Sequence, residues 1–331
     1  MQQRSGAAHK DRSGGASEID AAWVAVLAAA DSAERLAEAG RGAAFGIGDD
    51  GHLQPLPAGH CDSLIAWGPG TGWEATLPAP DPRRALLDLY LPICSATKTK
   101  PLTIGHLGQS LDGFIATQAG ESQNVTGHEN IRHLHRMRAL CDAVVVGAGT
   151  VAADDPQLTT RHVAGPNALR VVLDPTRRLD DHYRVFNDAS AATLYVCARS
   201  LTRSGETHVG RASLVAVDDR AEGIDVAAVL GLLRERGFKR VFVEGGGVTV
   251  SAFIEANLLD RLQIAIAPLI IGTGRPAIRL APRTNLSDCR RPRYRVFRMG
   301  GDILFDCDLR SHASENSDSQ VGENPVIARV I

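Results

Sequence analysis

From residue 101 onward, short apolar runs alternate with longer stretches of helical spacing. Several short runs are continuous in Val, Ile and Leu, whereas a half-exposed strand would alternate apolar and polar residues. Continuous apolar strands are typical of sheets that are buried on both faces, and such sheets are mainly parallel and covered by helices. The predicted strands are LTIGHL, DAVVVG, LRVVLD, TLYVC, SLVAV, RVFVEG and RLQIAIAP.

Helical spacing predicts the remaining elements of this region. The predicted helices cover 128–141, 224–237 and 248–260. Residues 294–309 predict an antiparallel hairpin that turns at Gly300 and Gly301. The pattern therefore predicts an α/β domain over 101–310, followed by a largely disordered polar tail over 311–331.

The first hundred residues have a different pattern. Residues 1–16 are polar and rich in Gly and Ser, which predicts disorder. Ser17 is placed to cap a long helix, and Asp50 with Gly51 marks a hairpin turn between short strands. We therefore expect a small α+β appendage of unknown function over 17–100.

Composition and charge exclude several classes of protein. The chain has 331 residues, 44% of them hydrophobic, and a formal net charge of −2, which argues against an electrostatic nucleic-acid binder. No apolar stretch is long enough to span a bilayer, and the N-terminus lacks the apolar segment of a secretory signal. We therefore expect a cytoplasmic protein without a membrane partner. The six cysteines form no C-x-x-C pair, so no metal site is expected.

A glycine-rich junction follows one predicted strand and is a candidate phosphate site. In open α/β sheets, ligands bind where strands end and helices begin. Gly245–Gly247 follow a strand that ends at Glu244, and a helix begins directly after them. Free N–H groups at a helix start attract anions, and the hydroxyls of Thr249 and Ser251 are further donors. The alternative is a flexible turn without function.

A second junction contains Gly147, Gly149 and Thr150, whose hydroxyl suits a phosphate or a ribose. Asp154 and Asp155 follow at once. Two carboxylates beside an anion site would repel phosphate, so one of them should point elsewhere, to ribose hydroxyls or to substrate. Alternatively, both are solvated acids at a helix start.

Five segments carry a family resemblance. They are SLDGFIAT at 110–117, GESQNVTG at 120–127, VGAGTVAADDPQLTTR at 146–161, RVVLD at 170–174 and VEGG at 243–246. In this order, and with the later LLDRLQIAIAPLIIG, they resemble the reductase domain of the riboflavin-pathway deaminase–reductase, over about 101–309. The resemblance implies a dihydrofolate-reductase-like three-layer α/β/α sandwich, NADPH as cofactor and a homodimer. It also implies hydride transfer to the ribosyl C1′ of a phosphoribosylaminopyrimidine, of the 5-amino-6-(5-phosphoribosylamino)uracil type, in riboflavin-like biosynthesis.

The same resemblance implies roles for single residues. The implied catalytic residues are Glu244, His106 and Asp154. The implied substrate-binding residues are Ser122, Arg138, Leu158 and Arg161. The implied cofactor-binding residues are Gln109, Asn124, Thr150, Asp154, Gly246, Gly247, Val248, Thr249, Val250, Ser251 and Ala252. Arginine suits a phosphate ester because guanidinium binds its oxygens through two parallel hydrogen bonds, although both arginines are alternatively ordinary solvated charges.

Four positions depart from the family pattern. His106 stands in place of a family lysine, Gln109 in place of a small residue, Asn124 in place of a tryptophan and Pro175 in place of a serine. Histidine can change charge near neutral pH and donate a proton to the sugar ring oxygen, or it can be a satisfied inward residue without a role. Without the tryptophan, stacking on the nicotinamide or the substrate is either lost or supplied by another residue.

Residues outside these motifs bear on two functional details, namely deaminase activity and the preference for NADPH. The zinc deaminase that precedes the reductase in the bifunctional proteins needs H-x-E and P-C-x-x-C, and residues 1–100 contain neither, so we expect no deaminase activity. A preference for NADPH needs a cation near the 2′-phosphate, for which Arg177, Arg178 and Arg199 are candidates. Each of them is alternatively a surface charge.

Two other functions remain open. One is a reductase of a pterin or another specialised heterocycle on the same fold. The other is a non-catalytic nucleotide-binding module in which residues 1–100 contact a partner. The altered residues at 106 and 124 motivate the binding module, whereas the dihydrofolate reductases, which share the implied fold, support the pterin alternative.

Overall fold

A computed structural model describes residues 13–48, 52–219 and 223–310 of the chain. They form two compact units that divide between Thr97 and Lys98, close to the boundary predicted between residues 100 and 101. Within the described residues, no helix is both long and apolar enough to cross a membrane.

The N-terminal unit is an α+β unit with two helices and a four-stranded antiparallel sheet of order β2-β1-β3-β4 among its described residues. Its elements are α1 (Ser13–Ala39), β1 (Ala43–Ile47), β2 (Leu53–Leu56), β3 (Ile65–Gly68), β4 (Gly72–Ala75) and α2 (Arg84–Cys94). Trp67 of β3 and Trp73 of β4 pack edge to face, with ring centroids 5.4 Å apart. The Trp73 indole also donates to Ala29 O of α1 at 3.0 Å.

Two predictions for this unit need correction. The first helix begins at Ser13 rather than after a cap at Ser17, so residues 13–16 are helical and not disordered. Strand β4 was not predicted, because its Gly- and Pro-rich surroundings hide the contribution of Trp73 to the core. The predicted turn at Asp50 and Gly51 lies outside the described residues, as do 1–12 and 311–331, whose predicted disorder stays a prediction.

The C-terminal unit contains the predicted alternation of strands and helices. Its elements are β5 (Leu102–Ser110), β6 (Phe114–Thr117), α3 (His128–Leu140), β7 (Ala143–Gly147), α4 (Ala148–Asp154), β8 (Leu169–Leu173), α5 (Arg184–Asn187), β9 (Thr193–Ala198), β10 (His208–Val209), β11 (Ala212–Val217), α6 (Val226–Glu235), β12 (Arg240–Glu244), α7 (Gly247–Glu255), β13 (Arg261–Ala267), β14 (Gly274–Pro276), β15 (Arg293–Met299) and β16 (Asp302–Asp308).

The main sheet has the strand order β10-β11-β9-β8-β7-β12-β5-β13-β16-β15 in the described part of the chain. The strands from β11 to β13 in this order pair in parallel, and they are the seven predicted strands. Antiparallel pairs flank them at both ends, one of them being the predicted hairpin of β15 and β16. The expected mainly parallel sheet is confirmed. The short pair of β6 and β14 was not predicted.

Helices cover both faces of this sheet. On one face, Val229 of α6 and Phe253 of α7 share a core cluster with Val145 and Val243. On the other face, the His133 side chain of α3 contacts Oε1 of Gln263 on β13 at 2.9 Å. Successive strand residues point to opposite faces, so an apolar run such as 143–146 is buried by both layers. The predicted three-layer α/β/α sandwich is confirmed.

Candidate active site

A cavity of about 720 Å³ opens at the carboxyl ends of the central parallel strands. Its walls come from the ends of β5, β7, β8 and β12, from the loop over 120–126 and from 275–279. The two glycine-rich junctions that the sequence singles out both line it. This is the position at which open α/β sheets bind ligands, because the strands end there and leave backbone groups free.

The junction after β12 brings backbone close to the cavity. Gly245 has a φ of +144°, a conformation that side-chain-bearing residues rarely adopt. A Cβ atom on Gly247 would overlap the carbonyl oxygen of Ala277 and lie 2.8 Å from that of Pro276. Helix α7 begins at Gly247, so its first free N–H groups lie at this wall. Gly247 is therefore required by close packing of backbone on backbone, and Gly245 by its backbone conformation.

The second junction contacts the first. Gly246 N donates to Thr150 Oγ1 at 3.0 Å, although the two residues are 96 positions apart. A Cβ atom on Gly147 would overlap Thr249 Oγ1. Thr150 and Thr249, both predicted to contact cofactor, thus line one continuous wall.

Glu244 and Arg138 form a buried ion pair beside the cavity. Arg138 Nε donates to Glu244 Oε2 at 2.7 Å, and Arg138 Nη2 donates to Glu244 Oε1. The two side chains are 8% and 12% exposed, so solvent screens the pair weakly. Glu244 is the last residue of β12 and is the register partner of His106 on β5. Two predicted catalytic residues and one predicted substrate-binding residue therefore lie together.

The two adjacent aspartates of the second junction separate. Asp154 lines the cavity and accepts a hydrogen bond from Ser122 Oγ at 3.1 Å. Asp155 has a φ of +39° and turns to Arg184, whose Nε lies 3.0 Å from its Oδ2. Of the two adjacent carboxylates, Asp155 thus points away from the cavity, as the first of the two alternatives expected.

His106 is a neutral, buried cavity residue. Its side chain is 3% exposed, and its Nε2 lies 3.0 Å from Asn130 Oδ1. Burial lowers the pKa of His106 to about 4, while Glu244 opposes the shift and Arg138 adds to it. Its predicted role as a proton donor at neutral pH is therefore not favoured by its surroundings.

Acid should destabilise the protein through His106. Its folded-state pKa of about 4 lies below the ordinary value of 6.5, so the unfolded chain binds more protons between these values and stability falls as the pH falls. From pH 7 to pH 5 this residue should cost about 2 kcal/mol in the free energy of unfolding. Urea unfolding at both pH values should show a loss smaller by that amount in His106→Gln.

His208→Gln is the matched control for this measurement, since His208 is exposed. That control should lose as much stability on acidification as the wild type. Equal pH dependence in the wild type and His106→Gln would contradict the assignment of a neutral buried imidazole at residue 106.

The other predicted substrate-binding residues adjoin the cavity without lining it. Arg138 Nη1 donates to Thr159 O at 3.2 Å, and Arg161 Nη1 donates to Thr159 Oγ1 at 2.6 Å. Leu158 is buried and has a φ of +54°. The segment after α4 therefore carries Arg161, an exposed cation, next to the Arg138–Glu244 pair.

Four predicted cofactor-binding residues are outside the cavity wall. Gln109 and Asn124 do not line it, and Asn124 is exposed with a φ of +65°. Val250 is fully buried in the core cluster under α7. The Ser251 hydroxyl accepts from Arg279 N at 2.8 Å. The rest of the predicted loop, Gly246, Gly247, Val248, Thr249 and Ala252, lines the cavity.

The structure distinguishes the three candidate cations for the 2′-phosphate. Arg177 pairs with Glu206, and Arg199 pairs with Asp218 at 3.1 Å. Arg178 lines the cavity and has no ion-pair partner among the described residues.

Two further arginines that line the cavity, Arg275 and Arg279, were not predicted from the sequence. Neither side chain has an ion-pair partner in the described part of the chain. A Cβ atom on Gly120 would lie 2.5 Å from the Arg275 guanidinium, so this arginine reaches the GESQ loop. No local signal marks these arginines, because Arg275 is held by the pairing of β14 with β6 and Arg279 by the hydrogen bond from its backbone N–H to Ser251 Oγ of α7.

Asp174, the last residue of the RVVLD segment, has a structural environment. It is fully buried and accepts from Tyr195 Oη at 2.7 Å and from Leu179 N at 2.9 Å. These bonds fix the loop that carries Pro175 and Arg178 to the cavity wall. The buried carboxylate of Asp174 thus holds this loop in position through hydrogen bonds.

One group of side chains in the N-terminal unit is close enough to share an ion. His60, Cys61 and Asp62 place ligand atoms within 4.8 Å of one another, and all three are exposed. Exposed consecutive residues of this kind are common without a metal. The expectation that the chain holds no metal stays a prediction.

The fold and the cavity define an α/β oxidoreductase domain, in which the glycine-rich start of α7 and the acidic residue Glu244 line the same cavity. Residues 101–296 match the RibD C-terminal domain family. The chain therefore belongs to this family, and the resemblance read from the sequence is confirmed.

Two archaeal relatives carry the name 2,5-diamino-6-ribosylamino-4(3H)-pyrimidinone 5′-phosphate reductase. The protein of Methanothermobacter thermautotrophicus is 32% identical over 218 residues, covering 64% of this chain and 99% of the relative. That of Archaeoglobus fulgidus is 34% identical over 183 residues, covering 52% and 83%.

A crystal structure of the Thermotoga maritima deaminase/5-amino-6-(5-phosphoribosylamino)uracil reductase is also similar. It has a TM-score of 0.53 and 26% identity, and the match covers 68% of this chain. This chain spans 60% of the length of that solved protein.

Proposed function

We propose that this protein is an NADPH-dependent reductase that transfers hydride to the ribosyl C1′ of a phosphoribosylaminopyrimidine in riboflavin-like biosynthesis. The observation that carries the proposal is the single cavity that joins the glycine-rich start of α7 to the Glu244–Arg138 pair. One end suits a dinucleotide and the other a polar heterocycle with a phosphorylated sugar. The names of the archaeal relatives agree with this substrate class.

The cavity residues fit a phosphorylated dinucleotide. Helix α7 begins at Gly247 on the cavity wall, where its first backbone N–H groups suit the phosphates of such a ligand. Three cavity arginines, Arg178, Arg275 and Arg279, have no ion-pair partner among the described residues, and NADPH has a diphosphate and a 2′-phosphate to neutralise them. When bound, the cofactor supplies the hydride, and the protein orients it and balances its charge.

Removal of the Arg178 guanidinium should weaken NADPH binding and spare NADH. Charge-assisted hydrogen bonds contribute about 1.5–3 kcal/mol, so Arg178→Ala should raise the KM for NADPH about 10- to 100-fold. Initial rates with each cofactor measure this directly. Arg177→Ala is the matched control, because Arg177 is held by Glu206. An equal rise of both KM values in Arg178→Ala would rule out a 2′-phosphate contact.

Arg161 is the cation that remains for the substrate phosphate. Two guanidinium nitrogens of Arg138 donate hydrogen bonds to Glu244. The hydrogen-bond partners of Arg161 are, by contrast, neutral groups among the described residues. Glu244 then holds the amino groups or the sugar of the substrate, next to the reacting carbon. Ser122 and Asp154 suit hydroxyl groups of either ligand.

The test is NADPH consumption with three acceptors side by side. They are the diaminopyrimidinone ribosyl phosphate named for the archaeal relatives, the corresponding aminouracil, and a dihydropterin. We expect turnover of one or both ribosyl phosphates and none of the pterin. Faster turnover of the pterin would replace the proposed substrate, and NADPH binding without turnover of any acceptor would favour a binding module.

Two further expectations accompany the proposal. We expect a homodimer and a cytoplasmic location, in keeping with the family resemblance. Light scattering coupled to size-exclusion chromatography tests the first, and cell fractionation tests the second.

A further inference from the structure

Three cavity side chains form a hydrogen-bonded chain that the proposed function does not yet use. Asn130, on α3, is 1% exposed and lies between Thr126 and His106. Its Nδ2 donates to Thr126 Oγ1 at 2.9 Å, and its Oδ1 lies 3.0 Å from His106 Nε2. All three residues line the cavity.

The amide of Asn130 sets the polarity of both neighbours. Because Oδ1 is an acceptor only, His106 Nε2 must carry the hydrogen, and in a neutral imidazole this leaves Nδ1 as a bare acceptor. Because Nδ2 donates to Thr126 Oγ1, the hydrogen of that hydroxyl is free to point elsewhere. Neither His106 Nδ1 nor the Thr126 hydroxyl hydrogen has a partner among the described residues.

Gly108, which has no side chain, leaves space for Thr126 and Asn130 of the hydrogen-bonded group. A Cβ atom on Gly108 would lie 2.8 Å from Thr126 Cγ2 and 3.4 Å from Asn130 Nδ2. A side chain at Gly108 would therefore displace the threonine and, with it, the asparagine. The groups that surround His106 on other elements are His133, with its ring centroid 5.3 Å away, and the Glu244–Arg138 pair.

We propose that Asn130 is a positioning residue that holds His106 with Nδ1 as the proton acceptor and Thr126 as an adjacent donor for the ribosylamine substrate. This inference rests on the proposed function and extends the role expected for His106 from the sequence: the imidazole first accepts the proton that it then donates to the sugar ring oxygen. The imidazole enters the reaction neutral. Asn130 itself does not touch the reacting atoms.

The ring-opening step moves one proton from the amine nitrogen to O4′ of the sugar. The C1′–O4′ bond breaks and its electron pair goes to O4′, while the amine lone pair forms a carbon–nitrogen double bond. His106 Nδ1 takes the proton that leaves the amine nitrogen, and the same proton then passes to O4′, with the Thr126 hydroxyl hydrogen-bonded to that oxygen. After reduction at C1′ the nitrogen regains a proton from water, so His106 ends neutral.

The first test is the tautomer of His106, measured without substrate or cofactor. Long-range ¹H–¹⁵N spectra of ¹⁵N-histidine-labelled wild-type protein at pH 7, assigned with His106→Gln, should show a protonated Nε2 and an unprotonated Nδ1. A hydrogen on Nδ1, or on both nitrogens, would overturn the proposal. This measurement does not depend on NADPH or on the identity of the acceptor.

The second test changes the polarity at residue 130. A carboxylate favours the imidazolium, so Asn130→Asp should place protons on both nitrogens of His106 at pH 7 and lower kcat about 10- to 100-fold. Activity should recover as the pH rises and the imidazolium loses its proton. An unchanged pH–rate profile would overturn the proposal. Asn285→Asp, on the surface, is the matched control and should leave kcat unchanged.

A variant pair guards against loss of structure at residue 130. Thr126→Val should lower kcat about tenfold, and Thr126→Ser should restore it, because serine keeps the hydroxyl. Equal rates in both variants would overturn the donor role. A wild-type protein that reduces none of the three acceptors would overturn the proposed function and the proton-transfer step together, while the spectra alone decide the tautomer.

Discussion

Gly247→Ala should raise the dissociation constant for NADPH about 100-fold or more. The new methyl group would overlap Ala277 O and lie 2.8 Å from Pro276 O, and both are backbone atoms that cannot rotate away. Either α7 or the segment after β14 must shift, and both line the cavity. A displacement of about 1 Å can cost about 100-fold in rate, and we expect a loss of the same order in NADPH binding. Fluorescence titration of NADPH measures the change.

Gly246→Ala is the matched control for this substitution. A Cβ atom there would meet Thr150 Oγ1 at 3.4 Å, which is nearly ordinary contact, and Gly246 has a negative φ of −54°. It should weaken NADPH binding far less than Gly247→Ala does. Equal binding in the wild type and Gly247→Ala would mean that the start of α7 does not contact the cofactor. The unfolding free energy of Gly247→Ala should fall by about 1–3 kcal/mol, as overpacking generally costs.

Glu244→Gln should lower kcat about 100-fold or more while the dissociation constant for NADPH stays within about twofold. The substitution keeps the shape of the side chain but removes the charge that Arg138 pairs with through two hydrogen bonds. A general acid or base at the reacting group contributes about 100- to 10,000-fold to the rate, and Glu244 is one of the predicted catalytic residues. Steady-state kinetics with the ribosyl phosphates and a binding titration with NADPH separate the two effects.

The control for Glu244→Gln is the same chemical change outside the cavity. Glu255→Gln, at the end of α7, removes a carboxylate that accepts from Ala281 N at 2.6 Å and pairs with Arg283 at 3.5 Å. It should leave kcat unchanged. If Glu244→Gln retained full turnover, the assignment of Glu244 to the substrate would be wrong, whatever the cofactor result.

The buried ion pair should also appear in stability. Glu244→Gln leaves the Arg138 cation, 8% exposed, without its counter-charge. A partner lost from a buried pair costs about 3–5 kcal/mol when nothing replaces it. The glutamine oxygen still accepts one hydrogen bond, so the loss for Glu244→Gln should be smaller than for Glu244→Ala.

The sequence alone determined the class of fold, because a strand that is buried on both faces of a sheet is recognisable from its own residues. A run such as 143–146 has no polar position for solvent, so it predicts a parallel strand wherever it lies. The same locality holds for the glycine-rich junctions after β7 and β12. It fails for β4, where one tryptophan contact across the unit outweighs Gly- and Pro-rich surroundings.

Only the tertiary structure decided which side chains meet. Arg178 faces the cavity while Arg177, its neighbour, pairs with Glu206, and Arg275 arrives there 155 positions after Gly120. Asn130 of α3 places its Oδ1 3.0 Å from Nε2 of His106 on β5. Such contacts depend on how strands and loops that are far apart in the chain pack. The local sequence pattern indicates how deeply a residue is buried. Which residues then contact it depends on the elements that the tertiary fold packs around it.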